Sequence, residues 1–322
     1  MGEAVAVAVD GGNSKTDVVA FGLDGRLVGR AAATSTSPHN VGLDGSIEIV
    51  SKLVAEAAAG HPVAQASLYL AGLDLSSELA AYREAVRQKS WSSATTVVDN
   101  DIFALLRAGT GASDAVAVIC GAGLNAVGVR EDGRTARFLA LGAISGDWGG
   151  GDSIGETALW HASRGADSRG DRTVLELAIP EHFGLGLLSE VTEALHLGRL
   201  SRGSLGELAP VVFAAARLGD KIAGSIVDRQ AAEIATMAAS CIIRLGLVGA
   251  VPVVLGGGVL RSGDARLLKG VTQRLAELAP SAVAIVVDAP PVLGAALLAL
   301  EHAGAGQQAL AAARAALVLR SL

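Results

Sequence analysis

The chain has 322 residues, of which 51% are hydrophobic, 18% charged and only 3% aromatic, with 41 glycines. That composition excludes intrinsic disorder, supplies a large core of Ala, Val and Leu, and exceeds the usual length of one compact domain. A formal net charge of −6 without any basic block excludes the electrostatic footprint of a nucleic-acid binder. Cys120 and Cys241 lie too far apart in sequence for a disulfide framework, so a reducing cytoplasm is the expected location. The apolar opening from Ala4 to Val9 has no basic flank and is broken by Asp10. Later apolar stretches carry Arg244, or Asp288 with Pro290 and Pro291, so neither a signal peptide nor a membrane span is expected.

In chain order, a strand from Ala4 to Val9 is followed by the polar turn Asp10-Gly11-Gly12-Asn13-Ser14-Lys15-Thr16. A strand from Asp17 to Phe21, a turn at Asp24-Gly25-Arg26 and a further strand at Leu27-Val28 come next. Helix (about 46–59), strand (67–70), helix (77–89), strand (95–98) and helix (102–108) complete a first copy of the pattern. The grammar then recurs. A strand from Ala115 to Ile119 leads into Cys120-Gly121-Ala122-Gly123, a strand from Leu124 to Val129, the turn Asp132-Gly133-Arg134 and a strand from Thr135 to Leu141. Residues 152–246 are mostly helical, with a long helix from Asp220 to Leu245. Strands return at 251–255 and 283–287, and an Ala/Leu helix follows Gly304-Ala305-Gly306. The expected division is 1–113 and 114–304, the second with a helical insertion, and with a terminal helix at 305–322 packing back on the first domain.

The turn at Asp10–Thr16 joins strands, presents backbone N–H groups past small residues, and carries one Lys and two hydroxyls, a setting that can cradle phosphate oxygens. It is not a P-loop or a dinucleotide fingerprint, because the glycine spacing differs and a strand follows. Taken alone it better suits an ordinary glycine hairpin with a structural Asp. Gly121-Ala122-Gly123 repeats the turn, however, and Gly256-Gly257-Gly258 opens a helix after a strand, where small residues admit a flat ring. Asp101 precedes a helix, where either Asn100 or Asp101 could serve as the cap. The six histidines lack i,i+4 pairing or neighbouring Cys, so no zinc site is expected.

These motifs, in this order, resemble the sugar-kinase branch of the actin/Hsp70/hexokinase superfamily, most closely N-acetylglucosamine kinases and the BadF/BadG-type ATPases. The resemblance spans nearly the whole chain. It implies an α/β fold of two actin-like (ribonuclease H-like) domains, each a mixed five-stranded sheet with helices, holding nucleotide and sugar between them. It implies ATP and Mg²⁺, with Asp10 as the metal carboxylate, and Gly11, Gly12, Asn13, Ser14, Lys15 and Thr16 as the first phosphate motif. Gly121, Ala122 and Gly123 are the implied second phosphate motif, Gly256, Gly257 and Gly258 the adenosine motif, and Asp101 the implied general base.

For the sugar, the resemblance implies contacts from Asn40 and Gly72 and from the segment Ser145–Glu156, with Ser145, Asp147, Trp148 and Glu156 as substrate-binding residues. Trp148 stands where those kinases have Glu, and Ala122 and Leu124 replace the usual hydroxyl-bearing residues, a departure that points away from acetamide recognition. The expected reaction is phosphorylation of the 6-hydroxyl of glucosamine. N-acetylglucosamine kinase is the alternative, alongside an ATPase activator or nucleotide switch. The implied partners are ATP and an amino sugar, with no nucleic acid and no membrane, and a homodimer is left open.

Overall fold

The computed structural model describes residues 3–318. The chain forms two compact units, one made of residues 1–117 together with 287–322 and the other of 118–286. Among the described residues, no helix is long and apolar enough to cross a membrane.

In the first unit β1 (Val5–Gly11), β2 (Thr16–Gly22) and β3 (Leu27–Ala33) form an antiparallel meander. The chain then runs through α1 (Pro38–Ala58), β4 (Val63–Leu70), α2 (Ser76–Arg87), β5 (Val97–Asp99) and α3 (Ile102–Gly109). The sheet order is β3-β2-β1-β4-β5, with β1, β4 and β5 parallel. Both faces of β1 are buried, which is why Val5–Val9 reads as an unbroken apolar run rather than an alternating one. α1 starts eight residues before the expected helix, and Gly42, at φ +75, kinks it.

The opposite face of that sheet is covered from the far end of the chain. α11 (Pro291–His302) and α12 (Gln307–Val318) bury Leu293, Leu297, Leu300, Leu310 and Ala313 against Ala6, Ala8, Val19 and Phe21. The return to the first unit therefore lies near residue 287 rather than Gly304, because α11 is apolar on nearly every side and is buried like a core helix. The last four residues of the expected 305–322 helix lie outside the described ones. At Gly294 the backbones of α11 and α3 touch, so that an added Cβ would overlap the Ala104 carbonyl oxygen. Gly294→Ala is expected to lower stability by about 1 to 3 kcal/mol through forced separation of the helices, measurable as a lower denaturant midpoint with unchanged slope.

The second unit repeats the plan with β6 (Ala115–Cys120), β7 (Leu124–Val129), β8 (Thr135–Arg137), β9 (Val251–Gly256) and β10 (Ala282–Val286), in the order β10-β9-β6-β7-β8. β8 ends four residues earlier than expected. Ala140 adopts φ +52 and residues 142–145 coil into a 3₁₀ turn, both incompatible with a continuing strand. Between β8 and β9 lie α4 (Gly150–Ala166), α5 (Leu175–His182), α6 (Leu188–His196), a 3₁₀ turn at Arg202–Leu208, α7 (Ala209–Arg217) and the long α8 (Lys221–Leu245). α9 (Gly258–Arg261) and α10 (Ala265–Leu278) separate β9 from β10.

Candidate active site

In the first unit the candidate residues gather where the parallel strands end, the edge at which open α/β sheets place ligands. Asp10 and Gly11 end β1, Gly72 and Asp74 follow β4, and Asp99 ends β5 with Asn100 and Asp101 after it. The glycine turn is a tight hairpin closed by the Gly12 N–H donating to the Lys15 carbonyl at 2.8 Å. Asn13, Ser14 and Lys15 are exposed, whereas Thr16 is fully buried with its hydroxyl 2.8 Å from that of Thr36. Strand alternation turns Thr16 inward, away from the exposed part of the turn. Asn40 donates from Nδ2 to the Asn13 carbonyl (3.0 Å) and to Ser35 Oγ (2.9 Å), bracing the turn. Gly72, at φ +78, lies against Ser37 and His39.

The choice of cap at α3 is resolved by geometry. Asn100 Oδ1 accepts from the Ile102 N–H at 3.1 Å, while the Asp101 side chain makes no capping bond. Asn100 also donates from Nδ2 to Asp74 Oδ1 at 2.9 Å. Glu78 Oε2 accepts from the backbone N–H groups of Asp74 and Leu75, and its Oε1 lies 2.9 Å from His39 Nε2. Burial, reinforced by the charge of Asp74, pushes the Asp101 carboxyl up to about 7. Burial and then the neighbouring Glu78 raise Asp74 to about 6. Sequence reasoning missed Asp74 because nothing around it forms a motif; only the alignment of β4 with β5 brings it beside Asn100.

In the second unit the Gly121–Gly123 turn and the Gly256–Gly258 segment meet. Gly257 adopts φ +95, and a Cβ there would overlap the carbonyl of Cys120. They share a cavity of about 400 Å³ lined by Gly121, Ala122, Gly258, Val259, Pro210 and Phe213, with Asp152 and Glu207 on its wall. A mostly apolar slot beside exposed backbone amides suits a flat heterocycle attached to an anionic chain. The helical insertion supplies Pro210 and Phe213, together with Gly203 and Gly206. The paired glycines in Arg202-Gly-Ser-Leu-Gly206 were the available signal for that contribution.

The Ser145–Glu156 segment divides in two. Its glycines dock α4 onto the Gly121–Gly123 turn, with the Gly151 N–H donating to the Gly121 carbonyl (2.8 Å) and the Asp152 N–H to the Ala122 carbonyl (3.0 Å). Gln230 Oε1 accepts from the Gly150 N–H at 2.8 Å. Before them, Ser145 Oγ donates to Asp147 Oδ2 at 2.5 Å, and the Arg229 guanidinium stacks 4.0 Å from the centre of the Trp148 ring. Glu156 lines a different cavity, described below.

Among the described residues, no three His, Cys, Asp or Glu side chains cluster as metal ligands. Asp10 contributes a single carboxylate, which fits a Mg²⁺ whose other ligands are water and phosphate oxygens rather than a protein cage. Cys120 and Cys241 are fully buried, and burial pushes both thiols up to about 12, far from the thiolate that holds a cluster.

An N-acetyl-D-glucosamine kinase of Dictyostelium discoideum is 28% identical over 317 residues, covering 93% of this chain and 99% of its own. An N-acetylmuramic acid/N-acetylglucosamine kinase of Clostridium acetobutylicum is 26% identical over 236 residues, covering 71% of this chain and 76% of its own. The fold matches that of a Chromobacterium violaceum protein described as a candidate N-acetylglucosamine kinase, with TM-score 0.69 at 21% identity over 92% of this chain and 99% of that one. It also matches a ROK family glucokinase of Streptomyces griseus, with TM-score 0.57 at 18% identity over 92% and 100%. The model of the BadF/BadG/BcrA/BcrD ATPase family matches residues 7–299, nine-tenths of the sequence, and the chain belongs to that family.

Proposed function

We propose that the chain is an ATP-dependent amino-sugar kinase that transfers the γ-phosphoryl group to the 6-hydroxyl of glucosamine. The observation that carries the reading is Asp101. It is a carboxyl of raised pKa at the ends of the parallel strands, where Asn100 Oδ1 takes the Ile102 N–H. A sugar hydroxyl must lose its proton as it attacks phosphorus, and a carboxylate with raised basicity accepts that proton more readily than an ordinary one. Asn100 and Asp74 hold the segment that carries it. The glycine turn at Asp10–Lys15 and the Gly121–Gly123 turn offer backbone amides to phosphate oxygens, and the apolar cavity beside Gly258 takes the adenine. Mg²⁺ held through Asp10 would neutralise charge between the β- and γ-phosphates.

Asp147, braced by Ser145, is assigned to the amino group of the sugar. A free amine is cationic at neutral pH, and a charge-assisted hydrogen bond separates it from neutral sugars by roughly tenfold to a hundredfold. The second reading, N-acetylglucosamine as substrate, draws on the named activities of the Dictyostelium and Clostridium relatives. Reading the chain as an iron–sulfur ATPase activator is disfavoured by the two buried, protonated thiols.

The test is ADP release over a panel of glucosamine, N-acetylglucosamine and glucose. Glucosamine is expected to give the highest kcat/KM, and Asp147→Asn to erode that preference by tenfold or more while residual glucose turnover changes less. A higher value for N-acetylglucosamine transfers the assignment to the second reading. ADP release that no sugar stimulates rejects the kinase.

A further inference from the structure

A second cavity, of about 500 Å³, opens on the side of α4 and is closed by α6 and the Arg202–Leu208 turn. Its floor is apolar, formed by Leu159, Leu195 and Leu205. Three guanidinium groups line it, those of Arg164, Arg169 and Arg202, with a single carboxylate, Glu156, in the same wall. Two of the arginines are held in place. Arg164 donates to the Arg169 carbonyl at 2.8 Å and stacks 4.7 Å from the centre of the Trp160 ring, and Arg169 is paired with Asp167 at 2.6 Å. Arg202 makes no ion pair among the described residues, and Glu156 is the one carboxylate lining the cavity with it. Trp160 is 55% exposed, an unusual state for so large a ring outside a binding surface.

Fixed guanidinium groups suit a phosphate oxyanion, because they offer several N–H donors in a rigid plane. The exposed part of the Trp160 ring suits the C–H surface of a sugar ring, and Ser163 and Thr192 line the same cavity. Glu156, on the same wall, can take a hydroxyl or an ammonium. We propose that this cavity binds a phosphorylated sugar, separately from the nucleotide cavity beside Gly258, and that its ligand is the amino-sugar phosphate the proposed reaction makes. The identity of the ligand rests on the kinase reading; the chemistry of the cavity does not.

α4 joins the two cavities. Asp152 lines the nucleotide cavity and Glu156, one turn later, lines the arginine cavity. The charge of Glu156 adds to burial in raising the carboxyl of Asp152, so the two walls are electrically coupled. A bound ligand that neutralises Glu156 relaxes Asp152, which places product binding in a position to alter nucleotide affinity.

The test is a calorimetric titration of the full chain with glucosamine 6-phosphate in saturating glucosamine, which occupies the sugar subsite and leaves the arginine cavity open. Binding is expected to persist, and Arg202→Ala to weaken it by about tenfold to a hundredfold. Trp160→Ala is expected to weaken it independently, with initial rates at low product unchanged in both variants. Loss of all binding in saturating glucosamine, or equal affinity in wild type and Arg202→Ala, overturns the proposal. Arg202-dependent binding by a chain that no sugar stimulates rejects the kinase reading and leaves the cavity assignment standing. Sugar-stimulated turnover without Arg202-dependent binding does the reverse.

Discussion

Replacing Asp101 by Asn is expected to slow sugar phosphorylation by about 10² to 10⁴-fold while nucleotide binding is retained, because an amide keeps the shape and cannot accept the proton. The pH profile carries a second, independent signature. With the carboxyl raised to about 7, the wild-type rate at limiting sugar should rise with pH and level off above about 7, since only the ionised form accepts a proton. Stability runs the other way. A carboxyl whose folded pKa is raised holds its proton more tightly in the folded state, so its contribution is present at acidic pH and is lost as pH rises through about 7. Asp101→Asn should therefore melt higher than wild type at pH 8 and about equally at pH 4. A variant within a few-fold of wild-type turnover would mean that the carboxylate only shapes the segment.

The second large effect is expected at Gly257. With φ at +95 and the Cys120 carbonyl where a Cβ would stand, Gly257→Ala can be accommodated only by pushing β9 away from β6 and distorting both the Gly121 turn and the start of α9. Nucleotide affinity is expected to fall at least tenfold, with a smaller loss of sugar affinity, readable by separate titrations with ADP and glucosamine. Gly258, beside it, has open space around its Cβ direction, so Gly258→Ala should keep the fold and reveal only the loss of room in the cavity. Equal ADP affinity in Gly257→Ala and wild type would remove the glycine segment from the nucleotide site.

The strands were legible because each alternates with a turn of unmistakable chemistry: Asp10–Thr16 after β1, Asp24-Gly25-Arg26 after β2, and their counterparts after β6 and β7. The duplicated order of the sheets follows from that repetition. What was not legible depends on partners distant in sequence. α11 lacks a polar face, so periodicity could not separate it from a strand-rich return, and only packing against β1 and α3 declares it a helix of the first unit. The role of Asn100 was open in the sequence because two adjacent residues could cap α3, and the choice is set by the bond from Asn100 to Asp74, twenty-six positions away. The burial of Thr16 was hidden for the converse reason. Its motif neighbours are exposed, but the sheet register sends its hydroxyl to Thr36. The arginine cavity draws on α4, α6 and the Arg202 turn, and no local pattern announces an assembly of that kind.

The discontinuity of the first unit bears on the order in which the protein acquires its structure during synthesis. Residues 118–286 are all synthesised before α11, so the first sheet still shows Ala6, Ala8, Val19 and Phe21 to water while the second unit is being made. The β1–β3 meander is thus made before 118–286 and sealed after it. A chain truncated before residue 287 would carry the second unit and an open apolar sheet, the kind of surface that holdase chaperones bind, and sealing of that sheet would wait for α11 and α12.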